Sequence, residues 1–185
     1  MINKIKNFLL QPIKNFLNKF RIPLTAIQDT LIFQQFKKDI ENPKNPLNKY
    51  GKKCFSQTDE DGITLEIVKR MKIDKGIFCE IGCGNGLENN TLILAAAGWR
   101  GTWFDTRNLA FNYKENKRFK FIKQFIDNDN ILQSMDIGFK KFNNKEIDFL
   151  SIDTDGNDLY FVEHLLKNSI MPKIAVVEIN AKYPP

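Results

Sequence analysis

Hydrophobic and polar positions change their period along this chain. In residues 1–20, Ile2, Ile5, Phe8, Leu9, Ile13, Phe16, Leu17 and Phe20 recur every three or four residues, which predicts a helix with Pro12 as a kink. A second helix is predicted over 24–38 and is stopped by two prolines in Glu41-Asn-Pro-Lys-Asn-Pro46. Ile63, Ile67, Val68 and Met71 then follow helical spacing behind the acids of Ser56-Gln-Thr-Asp-Glu-Asp-Gly62, so a third helix is expected over 58–72. Past the turn Asp74-Lys-Gly76, short apolar runs alternate with helix-length segments. Strands are predicted at 77–81, 102–105, 119–122, 147–152 and 174–179, and helices at 88–97, 128–135 and 158–167. These strands are continuously apolar rather than alternating, as strands buried on both faces are. The expectation is therefore α/β: a doubly wound, mainly parallel sheet with helices on both faces.

Composition adds little to that picture, but charge adds more. The content of 42% hydrophobic and 27% charged residues is that of a soluble globular chain, and no apolar run approaches the ~18 residues of a membrane span. The net charge of +6 is unevenly placed: residues 1–21 carry Lys4, Lys6, Lys14, Lys19 and Arg21 with no acid, leaving 23 Lys and Arg against 22 Asp and Glu elsewhere. A body so nearly neutral argues against nucleic acid as a partner. Three organisational blocks result: a basic amphipathic arm at 1–21, a helical lead-in and Pro-containing linker at 22–55, and the α/β domain at 56–185. The arm suits packing against the domain or a partner subunit. Peripheral contact with an anionic membrane surface is its other reading. Cys54, Cys79 and Cys83 form no CxxC pair and accompany a single histidine, so reduced thiols in a cytoplasmic protein are expected and no zinc site.

The most specific segment is Phe78-Cys-Glu80-Ile-Gly82-Cys83-Gly84-Asn85-Gly86. A buried strand ends in an acid, and three alternate glycines turn the chain toward a helix. Glycine admits positive φ and lets a ligand approach the backbone, while free N–H groups at a helix start make a polar seat. The spacing is GxGxG, not the GxGxxG of dinucleotide sites. Glu80 would repel a pyrophosphate but suits an ammonium group. Asp105 closes the second strand 19 residues after Gly86, where a ribose-binding carboxylate is expected. A nucleoside carrying a charged amino acid fits these features, which describes S-adenosylmethionine; a tight turn with no ligand is the plain alternative.

Glu80-Ile-Gly-Cys-Gly-Asn-Gly86 resembles the first motif of class I S-adenosylmethionine-dependent methyltransferases. Ile152-Asp153-Thr-Asp155-Gly156-Asn-Asp158 is similar to the I-D-x-E-G-x-E motif of FkbM-type methyltransferases. Ser56-Gln-Thr-Asp-Glu-Asp-Gly62, Gly86-Leu-Glu-Asn-Asn-Thr91 and Val177-Glu-Ile-Asn-Ala181 resemble an FkbM-related bacterial group. The likeness spans 56–185. It implies a Rossmann-like domain in which Glu80, Gly82 and Gly84 line the methionine end, Asp105 holds the ribose hydroxyls, Asp127 approaches the adenine and Asp153 faces the transferred methyl. It also implies a sugar, glycolipid or other small hydroxylated acceptor. A complete sheet of that class adds a reversed pair of strands after the fifth, and the chain stops at Tyr183-Pro-Pro185. A C-terminally truncated domain is thus expected, with an uncovered edge strand open to homodimer pairing.

Asp153, Asp155 and Asp158 share one loop at a strand's carboxyl edge, where open α/β sheets bind ligands. Asp153 and Asp155 are the candidate catalytic residues, a general base being one role. A divalent metal shared with Glu178 or Asn180 is a second role, and a turn with Asp158 as helix cap is a third. Asp153-Thr154-Asp155 also matches the D-x-D of metal-dependent glycosyltransferases, the main rival from another reaction class; a non-catalytic binding module is the remaining alternative. His164 is expected to be an ordinary helix histidine. Location is expected to be cytoplasmic, with a place at the inner membrane surface if the arm binds lipid.

Overall fold

The computed structural model describes residues 45–142 and 146–179, with Leu31 and Gln34 as single positions. The helix expected over 1–20, all but those two positions of the one over 24–38, and Asn180 lie outside these residues. The chain divides into two compact units, Met1–Lys49 and Tyr50–Pro185. The second carries the sheet.

Its five strands are β1 (Ile77–Ile81), β2 (Arg100–Asp105), β3 (Phe119–Lys123), β4 (Phe149–Ile152) and β5 (Ile174–Val177). They lie in the order β3-β2-β1-β4-β5, and every pairing is parallel. Among the described residues of this unit four α-helices accompany them: α1 (Glu60–Arg70), α2 (Leu92–Ala96), α3 (Ile131–Phe139) and α4 (Asp158–Lys167). This is a Rossmann-like α/β fold. Among the described residues no helix is long and apolar enough to cross a membrane.

Strand parity assigns the two cores. Ile77, Cys79 and Ile81 of β1 face α3 and α4, joining Phe104, Ile131, Met135, Phe161 and Leu165. Phe78 points the other way, with Trp103, Phe149 and the α1 and α2 residues Val68, Leu94 and Ala95. The inner strand β1 is buried along its whole length. That double burial is why its sequence is apolar at every position but Glu80.

Three helices begin later than sequence spacing predicts, α1 at Glu60, α2 at Leu92 and α3 at Ile131, and for the first two the reasons are related. Before α1, one carboxylate oxygen of the buried Asp61 accepts the backbone N–H groups of Cys54, Phe55 and Ser56 at 2.7, 2.6 and 2.9 Å. The buried face of α1 is consequently Asp61, Thr64 and Val68, and Met71, expected on the apolar stripe, is 50% exposed. Before α2, residues 88–91 are loop rather than helix. Asn89 Oδ1 takes the Leu92 N–H at 3.1 Å, and the next two residues are held by Glu80.

Candidate functional site

In this strand order the chain runs β1, β2, β3 to one side, then returns to place β4 against the other flank of β1. Loops leaving β1 and β4 therefore part at their carboxyl ends, the position where open α/β sheets bind ligands. A cleft of about 430 Å³ opens there. Gly82, Asp105, Arg107, Asp153, Asp155 and Phe161 are among its lining residues. A hollow of about 680 Å³ at the amino edge, between Phe139, Ile147 and Met171, contains none of the residues singled out from sequence.

Gly82 has φ of +86°, and a Cβ there would overlap the carbonyl oxygen of Asp153. The bend after β1 and the end of β4 thus touch backbone to backbone, a contact only glycine allows. Gly84, at φ +63°, leaves room for a different neighbour: an added Cβ would lie 3.0 Å from a guanidinium nitrogen of Arg107. Gly86 is buried against Leu109 and Phe111. Asn85 is exposed, its side-chain oxygen accepting the Leu87 N–H at 3.1 Å. Cys83 joins the α1/α2-side core, where burial pushes its thiol far up and keeps it inert.

Glu80 lies on the opposite face from Ile81, because adjacent strand residues alternate. Its side chain therefore enters the α2 side, not the cleft. There Oε1 accepts the Asn90 N–H at 2.9 Å and Oε2 accepts the Thr91 hydroxyl at 2.5 Å. Trp103 Nε1 donates to the same Thr91 oxygen at 2.8 Å, and Asn90 Nδ2 donates to Ser151 Oγ at 3.2 Å. Glu80 stands opposite Trp103 and Ser151 in register. Burial raises its carboxyl to about 7 despite those hydrogen bonds, and the nearby Asp153 charge adds to the rise.

Asp105 is at the cleft with both oxygens engaged. Oδ2 accepts the Gly84 N–H at 2.7 Å, and Oδ1 accepts the Arg107 N–H at 2.8 Å. Arg107 also reaches Oδ1 with Nε at 3.4 Å, its side chain 69% exposed over an Asp105 side chain only 6% exposed. Arg107 is the cleft residue that motif reading missed. The one signal was its place two residues past the acid ending β2, a spacing common to many turns.

The loop after β4 brings Asp153 and Asp155 to the cleft. Asp153 is half-buried, and desolvation, followed by Glu178 and the flanking acids, raises its carboxyl to about 6. Asp155 takes the left-handed conformation at φ +57°, making the expected turn with Gly156. Asp158 fastens that turn. Its oxygens accept the Thr154 N–H at 2.7 Å and the Gly156 N–H at 3.0 Å. It is the first residue of α4, so it ties the loop down ahead of its own helix. Asp127 is likewise occupied locally, accepting the N–H groups of Asp129 and Asn130, each at 3.0 Å. His164 lies on α4, its buried Nε2 without a partner among the described residues. Among those residues no three His, Cys, Asp or Glu side chains gather as a metal ion requires.

The structure thus brings Gly82, Asp105, Asp153 and Asp155 together around one cavity, while Glu80, Cys83, Gly84, Asn85, Gly86 and Asp127 are not among its lining residues. No family model, curated protein or solved structure matches this chain.

Proposed function

We propose that this chain is an S-adenosylmethionine-dependent methyltransferase acting on the oxygen of a small hydroxylated acceptor, a sugar or glycolipid precursor being the class suggested by its motifs. The observation that carries the reading is the cleft itself. One cavity of small-molecule size, floored by the Gly82 bend, runs between a carboxylate at the end of β2 and another at the end of β4.

The residues fit such a ligand in two respects. Asp105 is held in place by backbone N–H groups, as a carboxylate for a ribose diol must be. Asp153 and Asp155 supply negative charge for a cationic end, the role Glu80 does not take because it faces away. S-adenosylmethionine brings a methyl group already activated on a sulfonium. The protein's task is then to hold the acceptor in line and to take the hydroxyl proton. Asp153, raised to about 6, is ionised at neutral pH yet more basic than an ordinary aspartate.

Asp153 and Asp155 lining one cleft also supports metal-dependent glycosyl transfer as a second reading. Calorimetry separates the two. S-adenosylhomocysteine is expected to bind in the micromolar range, with UDP-sugar plus Mn²⁺ and NAD showing no heat. Binding of the UDP-sugar alone would reverse the assignment, and silence from all three ligands would leave a non-catalytic module.

A further inference from the structure

The cleft has one feature that neither the glycine loop nor the β4 acids account for. Among the described residues lining it, Arg107 is the only Lys or Arg, set among three aspartates. It is also doubly attached to Asp105. The backbone N–H holds Oδ1 at 2.8 Å, whereas the guanidinium Nε sits at 3.4 Å on the same oxygen. The first contact is short and fixed by the turn. The second belongs to a side chain 69% exposed, and an exposed ion pair of that kind is cheaply broken.

Consequently the guanidinium can leave without releasing Asp105, whose oxygens keep the N–H groups of Gly84 and Arg107. Its departure uncovers the carboxylate for a diol. The guanidinium already lies across the Gly84 turn, at the near wall of the cleft. A ligand carrying both a ribose and a carboxylate would otherwise bring its negative charge among Asp105, Asp153 and Asp155 uncompensated. Arginine's planar fork is matched to a carboxylate.

We propose that Arg107 is the specificity-determining residue of the cleft: it exchanges Asp105 for the ligand's carboxylate, so that the site selects a nucleoside bearing an amino-acid end over the bare nucleoside. This rests on the S-adenosylmethionine reading above. The exchange makes and breaks no covalent bond.

The test compares S-adenosylhomocysteine with 5′-methylthioadenosine, the same nucleoside without the amino-acid end, by calorimetry on the full chain. Arg107→Gln is expected to weaken S-adenosylhomocysteine about tenfold or more while leaving 5′-methylthioadenosine within about twofold. Arg107→Lys, a point charge without the fork, should restore part of the loss. Thermal unfolding of each variant checks that the fold persists. Equal weakening of both ligands would make Arg107 a mere support for Asp105, and no change in either would remove it from recognition. Strengthening of both would make it a competitor of the ligand. Each of these three outcomes overturns the proposal. If the wild-type chain binds neither ligand, the failure lies with the cofactor reading, and this inference falls with it.

Discussion

At the residue scale the decisive case is Glu80. Its carboxyl has a raised value of about 7 in the fold against an ordinary 4.5, so the folded chain keeps a proton that the unfolded chain gives up between those values. Stability from this group is therefore full below about 4.5, falls as pH rises, and levels off above about 7; integrating the shift gives a loss of about 3 kcal/mol. Urea unfolding of wild type and Glu80→Gln across that range should show the wild-type advantage shrinking with rising pH. A difference independent of pH would mean Glu80 titrates normally. The sequence marked Glu80 as important through its place before the glycines, but its direction could be read only from strand parity. Ile81 faces α3, α4 and the cleft, so Glu80 must face α2. Arg107 was illegible for the opposite reason. No motif surrounds it, and its significance comes from Gly84 and Asp105 being folded against it.

Elements were legible in proportion to how much of their character is local. All five strands were apparent because the inner ones are buried on both faces, leaving mostly apolar runs such as Phe149–Ile152, broken only by Ser151. Helix starts were less so: α4 begins at the expected Asp158, but a start shifts where side chains from other elements claim its N–H groups. The 88–91 stretch has helical spacing, yet Glu80, ten residues before Asn90, takes that N–H and the Thr91 hydroxyl and delays α2 to Leu92. Asp61 reverses the same lesson: an acid expected to complement the dipole of α1 is buried as the acceptor of three preceding N–H groups. The strength of the α2 junction can be measured. Thr91→Val keeps the side-chain shape but strips Glu80 Oε2 of a donor and Trp103 Nε1 of an acceptor. Two buried groups left unpaired should cost about 3 kcal/mol in chemical denaturation. A loss below about 1 kcal/mol would indicate that water replaces the hydroxyl.

At the scale of the whole molecule, charge and binding chemistry belong to different parts of the chain. The cleft's described lining residues fall between Ile81 and Phe161, within the Tyr50–Pro185 unit. The basic excess is in residues 1–21, with Lys4, Lys6, Lys14, Lys19 and Arg21 and no acid. A segment so charged attracts anionic surfaces over about one Debye length, and salt weakens that attraction. The described lining residues of the cleft all lie outside it in the sequence. Deleting residues 1–21 is therefore expected to leave S-adenosylhomocysteine affinity within about twofold of the full chain. A loss of about tenfold would show that the arm completes the binding site. Sedimentation with vesicles of phosphatidylserine assigns the arm's own partner. Binding by the full chain alone, falling with salt, makes it a membrane contact, whereas equal behaviour of both chains makes it a packing helix. The two readouts are independent: ligand affinity reports the cleft of the Tyr50–Pro185 unit, and the loss of vesicle binding on deletion reports the five cations of residues 1–21.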